Sequence, residues 1–231
     1  MKKVIFFILC VLTFSACGTA TTSTNNREKN YGDMYSSGIS RNTILIMPPI
    51  NRTVNVDAKE YFYSSLSMPL CDKGYYVISP YLALETLKNE SAYDSELFIN
   101  GNLSKFHEVF GADLALFTII DRWDKSALGH SITVEVEYIL KSTTANKELF
   151  HRRGIITVDT GVQSNSAGLF GALVDMAASA INTAATDKVI AARSCNAYVL
   201  SDLPCGPYSD QYNKDQNFAV GDSVVTANLR K

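Results

Sequence analysis

TILIMPP, residues 43–49, is the stretch from which the fold can be worked out. Its first five residues form a run with apolar side chains on both faces, which is typical of a central strand buried between two layers. Pro48 and Pro49 end the run because proline cannot donate a ladder hydrogen bond. The stretch therefore predicts a central buried strand at the start of the folded domain.

The segment after this strand has the periodicity of a helix. Apolar residues recur at helical spacing over residues 58–73, Pro69 should bend that helix, and Gly74 is placed to end it. A second strand is predicted at 75–79, and Pro80 begins a second helix that runs to Lys88. This order of strand, helix, strand and helix predicts an α/β unit with right-handed crossovers.

The second half of the domain has a different pattern. A short helix at 103–110 leads to a buried strand within 113–124, and residues 131–141 then alternate between apolar and polar side chains. A further strand is predicted at 148–160, so these strands read as an antiparallel meander with one wet face. An Ala/Gly-rich helix follows at 167–192. We expect an α/β (α+β) fold: a mixed sheet with a βαβα start, an antiparallel meander and a long C-terminal helix.

Two places are candidates for partner binding. Leu169 and Phe170 lie on the apolar stripe of the Ala/Gly-rich helix, which either packs on the sheet or faces another copy or a lipid surface. Trp123 is the only tryptophan and stands at a strand end, where it either anchors a partner or packs at the edge of the core. The sequence leaves both alternatives open.

The N-terminus has the features of an export signal. Lys2 and Lys3 precede an apolar run of about eleven residues, too short to span a bilayer as a helix, and Ser15-Ala16-Cys17 closes it with small side chains. This pattern predicts a lipobox, in which residues 1–16 are removed and Cys17 carries a diacylglycerol and an N-acyl chain. An uncleaved anchor or an ordinary signal-peptidase site is the alternative. Gly18 follows the cysteine, which by analogy with enteric bacteria favours the outer membrane, facing the periplasm.

The remaining chain divides by composition. Residues 17–42 are rich in Thr, Ser, Asn and Gly and predict a flexible tether, residues 43–193 form a single domain, and residues 194–231 predict an irregular, partly disordered tail. Removal of Lys2 and Lys3 with the leader lowers the formal net charge from −2 to −4. A mildly acidic chain without a basic patch excludes nucleic acid as a partner.

Three cysteines remain after Cys10 leaves with the leader and Cys17 is acylated. Cys195 and Cys205 are close in sequence, with Pro204 and Gly206 nearby, so they are the predicted disulfide in an oxidising periplasm. Cys71 lies on an apolar helical face and is expected to be a buried thiol. No cysteine or histidine spacing indicates a metal site.

The side chains that carry chemistry do not form a catalytic pattern. His107, His130 and His151 fall on separate predicted elements, and no nucleophile elbow or phosphate loop is present. Glu135 and Glu137 share one strand face, where they either hold a cation, act in acid–base work or simply solubilise that face. The sequence predicts neither an enzyme nor a cofactor, apart from the lipid.

Five short blocks, taken in order, resemble a bacterial lipoprotein family of unknown function first met among neisserial genome-derived antigens. They are ILIMPPIN at 44–51, GYYV at 74–77, FGAD at 110–113, GLFGALV at 168–174 and Thr186-Asp187. The resemblance covers roughly residues 43–192. It implies a domain similar to the N-terminal domain of TolB, a fold shared with the curli-secretion channel lipoprotein and with lipoprotein activators of penicillin-binding proteins.

The resemblance implies no catalytic residues, because the family has no established enzymatic activity. It favours a non-enzymatic outer-membrane lipoprotein that serves as a subunit or accessory of a secretion- or transport-type envelope assembly. Its expected partners are the membrane, a channel-type lipoprotein or further copies of itself. The alternative is a regulatory lipoprotein that activates a periplasmic peptidoglycan enzyme. Shared fold alone does not decide between them.

Overall fold

The computed structural model describes residues 31–127, 131–160, 186–217 and 221–230. In these ranges seven strands form one mixed sheet, and α-helices pack on both of its faces. The strands are β1 (Thr43–Ile46), β2 (Ile50–Asn51), β3 (Tyr76–Val77), β4 (Leu114–Lys125), β5 (Ser131–Ser142), β6 (Glu148–Asp159) and β7 (Val224–Arg230). The α-helices are α1 (Ala58–Ser65), α2 (Ser67–Asp72), α3 (Pro80–Asn89), α4 (Ser104–Phe110) and α5 (Thr186–Val199).

The strand order is β3-β1-β4-β5-β6-β7, and β2 continues beside β4 beyond the end of β1. Strands β3, β1, β2 and β4 pair in parallel, whereas β4, β5 and β6 form an antiparallel meander. Strand β7 returns after α5 and adds to β6 in parallel. The predicted mixed α/β class, with its βαβα start and its meander, is confirmed.

The parallel half of the sheet has helices on both faces. On one face Ile44 and Ile46 join the main core with Phe62 of α1. On the other face Leu45 and Met47 join a second core with residues of α3 and α4. The four side chains from Ile44 to Met47 are fully buried, as the continuous apolar run predicts.

The antiparallel half has one covered face and one open face. Along β5 the side chains of Val134, Val136 and Tyr138 are fully buried in the main core, while Glu135 and Glu137 between them point to the other side. Since successive strand residues alternate between faces, this pattern confirms the wet face predicted from the sequence.

Pro69 breaks the predicted helix 58–73 in two. Helix α1 ends at Ser65 and α2 begins at Ser67, with Leu66 between them. The ring of a proline clashes with the carbonyl four residues earlier, and that residue is Ser65. Gly74 has a φ of +83° and follows α2, as a glycine that ends a helix should.

The prediction of a flexible tether over residues 17–42 is wrong from Tyr31 onward. Tyr31 and Met34 are buried in the main core, and the ring of Tyr31 lies 4.7 Å from that of Phe150 between centroids. Arg41 is also buried and lies over the rings of Tyr35 and Tyr212. The few large side chains of this polar stretch pack against the domain. Residues 31–42 are therefore part of the folded domain, while residues 17–30 lie outside the described ranges.

The predicted irregular tail is also corrected. Residues 167–185 of the predicted helix 167–192 lie outside the described ranges. Helix α5 continues to Val199, beyond the expected end at about 192, and β7 lies within the segment that we expected to lack structure. Between them, Gly206 N–H donates to the carbonyl of Lys73 at 2.8 Å, and Tyr208 N–H donates to that of Gly74 at 2.9 Å. Backbone hydrogen bonds to distant residues order this polar segment, and a composition rule does not detect such bonds.

The described helices include none that is both long and apolar enough to cross a bilayer.

Candidate functional site

Several predicted site residues lie outside the described ranges. They are the lipidation site Cys17, the helix residues Leu169 and Phe170, and His130. Their roles therefore stay predictions.

The structure contradicts the predicted disulfide. Cys71, Cys195 and Cys205 are all free thiols. Cys195 lies inside α5 and is fully buried, whereas Cys205 lies on the tail near Gly74. The expected loop between the two cysteines is in fact the last turn of a helix followed by a tail that leaves it. Cys71, which we expected to be buried, is exposed.

Burial raises the pKa of the Cys195 thiol, and a hydrogen bond with Tyr138 offsets part of that effect. Burial likewise raises the pKa of the Tyr138 hydroxyl well above its ordinary value. Tyr138 donates to Asn196 Oδ1, and Asn196 Nδ2 donates to Ser65 Oγ at 2.9 Å. These neutral polar groups join β5, α5 and α1 inside the main core.

Trp123 is a core residue and not an exposed anchor. Its side chain is only 7% exposed. The ring stacks on Tyr61 with centroids 6.1 Å apart and meets Phe62 edge-on at 5.8 Å, so helix α1 covers it. Trp123 pairs with Val134 on the covered face of the sheet. Of the two alternatives left open by the sequence, the structure selects packing.

The end of β1 is a topological switch point. The connection from β1 to β3 runs through α1 and α2 on one face of the sheet, and the connection from β3 to β4 runs through α3 and α4 on the other face. Where neighbouring connections leave to opposite faces, a crevice opens at the carboxyl ends of the strands. In this chain Pro48 and Pro49 form its floor.

We call this crevice the proline cleft. It consists of two grooves, of about 370 Å³ and about 210 Å³, that share Pro49 and Lys59. Tyr63 lines the smaller groove and donates from its hydroxyl to the carbonyl of Pro80 at 2.7 Å. Ser95 lines the larger one and donates to the carbonyl of Pro48 at 2.6 Å. The walls are thus held by hydrogen bonds between elements that are distant in sequence.

A rigid loop with exposed valines borders the proline cleft. The carboxamide of Asn51 accepts from Thr53 N–H at 3.1 Å and donates to the carbonyl of Asn55 at 2.7 Å, which closes the loop on itself. Val54 and Val56 project from it with exposed fractions of 100% and 83%. Neighbouring apolar side chains in water, held on a closed loop, are typical of a surface that contacts a protein partner.

The open face of the antiparallel half carries ion pairs. Arg153 Nη2 lies 2.7 Å from Glu135 Oε1 and 3.2 Å from Asp121 Oδ2, and Asp121 also pairs with Arg52 at 3.1 Å. Asp121 sits at the register shift between Ile120 and Arg122, where strand β4 bulges. The bulge lets Asp121 reach across to β6.

The two carboxylates of the predicted Glu135–Glu137 pair contact different partners on β6, Arg153 and His151. Glu137 contacts His151 Nε2, while the other ring nitrogen of His151 lies 3.2 Å from Glu148 Oε1. These side chains line a groove of about 430 Å³ that reaches the start of β7. Within the described ranges no group of three or more His, Cys, Asp or Glu side chains is arranged to hold a metal ion.

Reasoning from the sequence missed the proline cleft and the contribution of Asp121 to the open face. A signal for Asp121 does exist, since Asp121-Arg122 follows the apolar run of β4 directly and marks where that strand leaves the buried region. The cleft has no comparable signal, because its walls come from four separate stretches of chain.

Comparison with known proteins identifies a matching family. The family described as "Putative lipoprotein GNA1162-like" matches residues 30–203. "Putative lipoprotein NMB1124/NMB1162" of Neisseria meningitidis serogroup B is 27% identical over 211 residues, which is 90% of this chain and 93% of that protein. The resemblance drawn from the ordered blocks is confirmed, and it extends to residue 203 of the corrected tail.

Solved structures with a similar course of the chain include lipoprotein GNA1162 from Neisseria meningitidis. It is 26% identical, covers 61% of this chain and 97% of its own, and gives a TM-score of 0.47. A dodecamer of PelC from Paraburkholderia phytofirmans is 17% identical, covers 70% of this chain and 87% of its own, and gives a TM-score of 0.40. Both TM-scores lie below 0.5, so neither likeness carries an argument about the function of this chain.

Proposed function

The chain belongs to the GNA1162-like putative lipoprotein family, and from this premise we propose that it is a non-enzymatic, lipid-anchored subunit or accessory of a cell-envelope assembly. We place it at the outer membrane, facing the periplasm, in a complex of the secretion or transport type. Its anchor is Cys17. Its partner-binding surface is the proline cleft together with the loop 51–56 that carries Val54 and Val56, which we call the valine loop.

The leader supports the anchored position. Lys2 and Lys3, the apolar run to Phe14 and the small residues before Cys17 together match a lipobox. Acyl chains contribute about 0.8 kcal/mol for each buried methylene, so one chain binds marginally and two or more hold the protein stably. The two or three chains of a processed lipoprotein therefore keep the domain at the membrane.

The single observation that carries the accessory role is the valine loop. Val54 and Val56 are exposed at a loop that is closed by the Asn51 side chain, beside a cleft floored by Pro48 and Pro49. A preorganised apolar loop loses little conformational entropy on binding, so its buried area contributes to affinity. By contrast, the ionisable side chains of the open face contact one another, which does not favour a reaction centre on that face.

The test is recovery of partners with the full-length lipoprotein from detergent-solubilised membranes. We expect Val54→Asp with Val56→Asp to lose proteins that the wild type retains, because buried carboxylates without partners oppose binding. Val109→Asp is the matched control, since Val109 is 58% exposed on α4, away from the loop. Equal recovery by both variants would remove the valine loop from the proposal.

The identity of the recovered partner decides between the two roles. A channel-type or transport component supports the accessory role. A peptidoglycan synthase that the purified lipoprotein stimulates would replace that role with the regulatory alternative. Cys17→Ala checks the anchor separately, and we expect that variant in the soluble periplasmic fraction with its fold intact.

A further inference from the structure

The two edges of the sheet differ in length and in cover. Strand β3 has only two residues, and the tail segment with Gly206 and Tyr208 binds the backbone just before it. Strand β7 has seven residues, and among the described strands it pairs only with β6. The long edge is therefore the one that offers a full row of backbone groups to another strand.

Strand β7 lacks the features that normally protect an edge. Proteins blunt exposed edges with charged side chains, proline, bulges or very short strands. Residues 224–229 read Val-Val-Thr-Ala-Asn-Leu, with no charge and no proline, and the register with β6 runs without a shift. The first charge is Arg230 at the end of the strand. Such an edge is suited to pairing.

Among the described residues, the main core extends to this edge and is only partly covered there. Val225 is buried at 8% exposure, while Ala227 and Leu229 on the same face pack on the core and remain only partly buried. On the opposite face Thr226 and Asn228 are exposed. A further strand beside β7 would cover the two half-buried apolar side chains.

We propose that β7 pairs antiparallel with β7 of a second copy of this chain, about a two-fold axis at Ala227. A two-fold interface must be self-complementary, and this strand is. The register places Val225 opposite Leu229 and Ala227 opposite its own copy on the core face. Thr226 then lies opposite Asn228 on the polar face, and no like charges oppose each other.

This pairing gives the proposed envelope assembly a dimeric unit built on one continuous sheet. Its place in an assembly rests on the proposed function, but the pairing itself is a property of β7. It leaves the proline cleft free, because the cleft lies at the end of β1 and β7 forms the far edge of the sheet.

Disulfide crosslinking of the full-length lipoprotein in detergent tests the register. Opposed residues of an antiparallel pair have Cβ atoms about 4.5–5.5 Å apart, close to what a disulfide needs, so Ala227→Cys should give a covalent homodimer on mild oxidation. Val224→Cys is the control, because its two copies would lie about 20 Å apart along the strands. The wild type, with its three native thiols, is the blank.

The outcomes are distinct. A species of twice the chain mass from Ala227→Cys, with little from Val224→Cys, supports the pairing. No crosslink from Ala227→Cys overturns it, as does equal crosslinking by both variants. A crosslink to a protein of another mass overturns it too, because the edge would then belong to a different partner.

A charge test uses the predicted opposition of Thr226 and Asn228. Thr226→Lys with Asn228→Lys places like charges opposite each other twice and should weaken the dimer about tenfold. Thr226→Lys with Asn228→Asp places opposite charges there and should leave the dimer near wild type. Equal dimer dissociation constants for the two double variants would overturn the register. The variant with Val54→Asp and Val56→Asp separates the two proposals. If it loses partner proteins and still forms the dimer, that result bears on the proposed function and not on the pairing of β7.

Discussion

The parallel and antiparallel halves of the sheet differ in how many of their faces are buried. Strand β1 from Ile44 onward and the first part of β4 are buried on both faces, so their apolar side chains belong to one of the two cores. Strands β5 and β6 bury one face and present ion pairs on the other. The difference teaches that stability is concentrated where helices cover both faces, and that surface chemistry is concentrated where they cover one.

The largest expected effect on the free energy of unfolding comes from truncating a buried side chain in the parallel half of the sheet, which helices cover on both faces. Phe117 is fully buried in the second core, so Phe117→Ala should lower the free energy of unfolding by about 3–5 kcal/mol. Ile155 lies partly exposed on the open face, and Ile155→Ala should cost about 1 kcal/mol. Urea unfolding midpoints compare the two. Similar costs would contradict the division of the sheet into two halves.

The second largest effect measures how much the tail contributes to the stability of the parallel half of the sheet. Gly74 and Gly111 have φ angles of +83° and +64°, so an alanine at either position costs about 1 kcal/mol in backbone strain. A Cβ on Gly74 would also lie 2.4 Å from the backbone nitrogen of Ser209, whereas a Cβ on Gly111 meets nothing within 4 Å. We therefore expect Gly74→Ala to cost about 2–4 kcal/mol in total.

Limited proteolysis gives this prediction a second measurement. Gly74→Ala should expose the tail around Ser209 to cleavage, while Gly111→Ala should leave it as resistant as the wild type. If both variants show the same unfolding midpoint and the same cleavage, the tail does not contribute to the stability of the covered half.

A third prediction concerns the buried face of the antiparallel half. Tyr138→Phe removes the hydroxyl that donates to Asn196 Oδ1 and leaves that buried oxygen without its donor, at a cost of about 2 kcal/mol. Tyr198 is 38% exposed on the same helix as Asn196, and Tyr198→Phe should change the free energy of unfolding by less than about 0.5 kcal/mol. Thermal unfolding of the two variants against wild type checks this, and equal shifts would refute it.

Alkaline pH should lower the free energy of unfolding through the buried Cys195, which lies against the same face of the sheet. Because burial raises the pKa of the Cys195 thiol, the folded chain keeps its proton while the unfolded chain loses it above about pH 8.5. The stabilising contribution is complete below that pH and then falls by about 1.4 kcal/mol for each pH unit, until the thiol also ionises in the folded state. Urea unfolding at pH 8, 9 and 10 should show a steeper loss for wild type than for Cys195→Ala.

The smallest expected effect lies on the open face. Glu135 and Arg153 are partly exposed, so their coupling energy in a double-mutant cycle with Glu135→Gln and Arg153→Gln should be below about 1 kcal/mol. It should decrease further in high salt because water and ions screen the pair. A coupling as large as the cost of Tyr138→Phe would mean that the open face is a second stabilising centre.

The sequence predicted most of the local structure correctly where one segment contains the whole signal. The double proline after Met47, the proline at the start of α3 and the glycines after α2 and α4 each act on their own neighbours. The break between α1 and α2 follows from Pro69 in the same way. The order of the blocks also identified the family.

The candidate site was predictable only in part, because its features depend on distant segments. Trp123 sits at a strand end in the sequence, and only the position of α1 decides that it is covered. The thiols of Cys195 and Cys205 are ten positions apart, yet the helix holds one inside the core while the tail carries the other away. Glu135 and Glu137 share a face as predicted, but their partners come from other strands.

The sequence by itself predicts the export signal, and it determined the strand and helix pattern and the alternation that leaves one face of β5 wet, because each is a relation between neighbours along the chain. Only the tertiary structure decided the proline cleft, the pairing of the charges and the docking of the tail and of Tyr31. Those features are contacts between segments far apart in sequence, and their free energy depends on where the folded sheet and its helices bring the segments together.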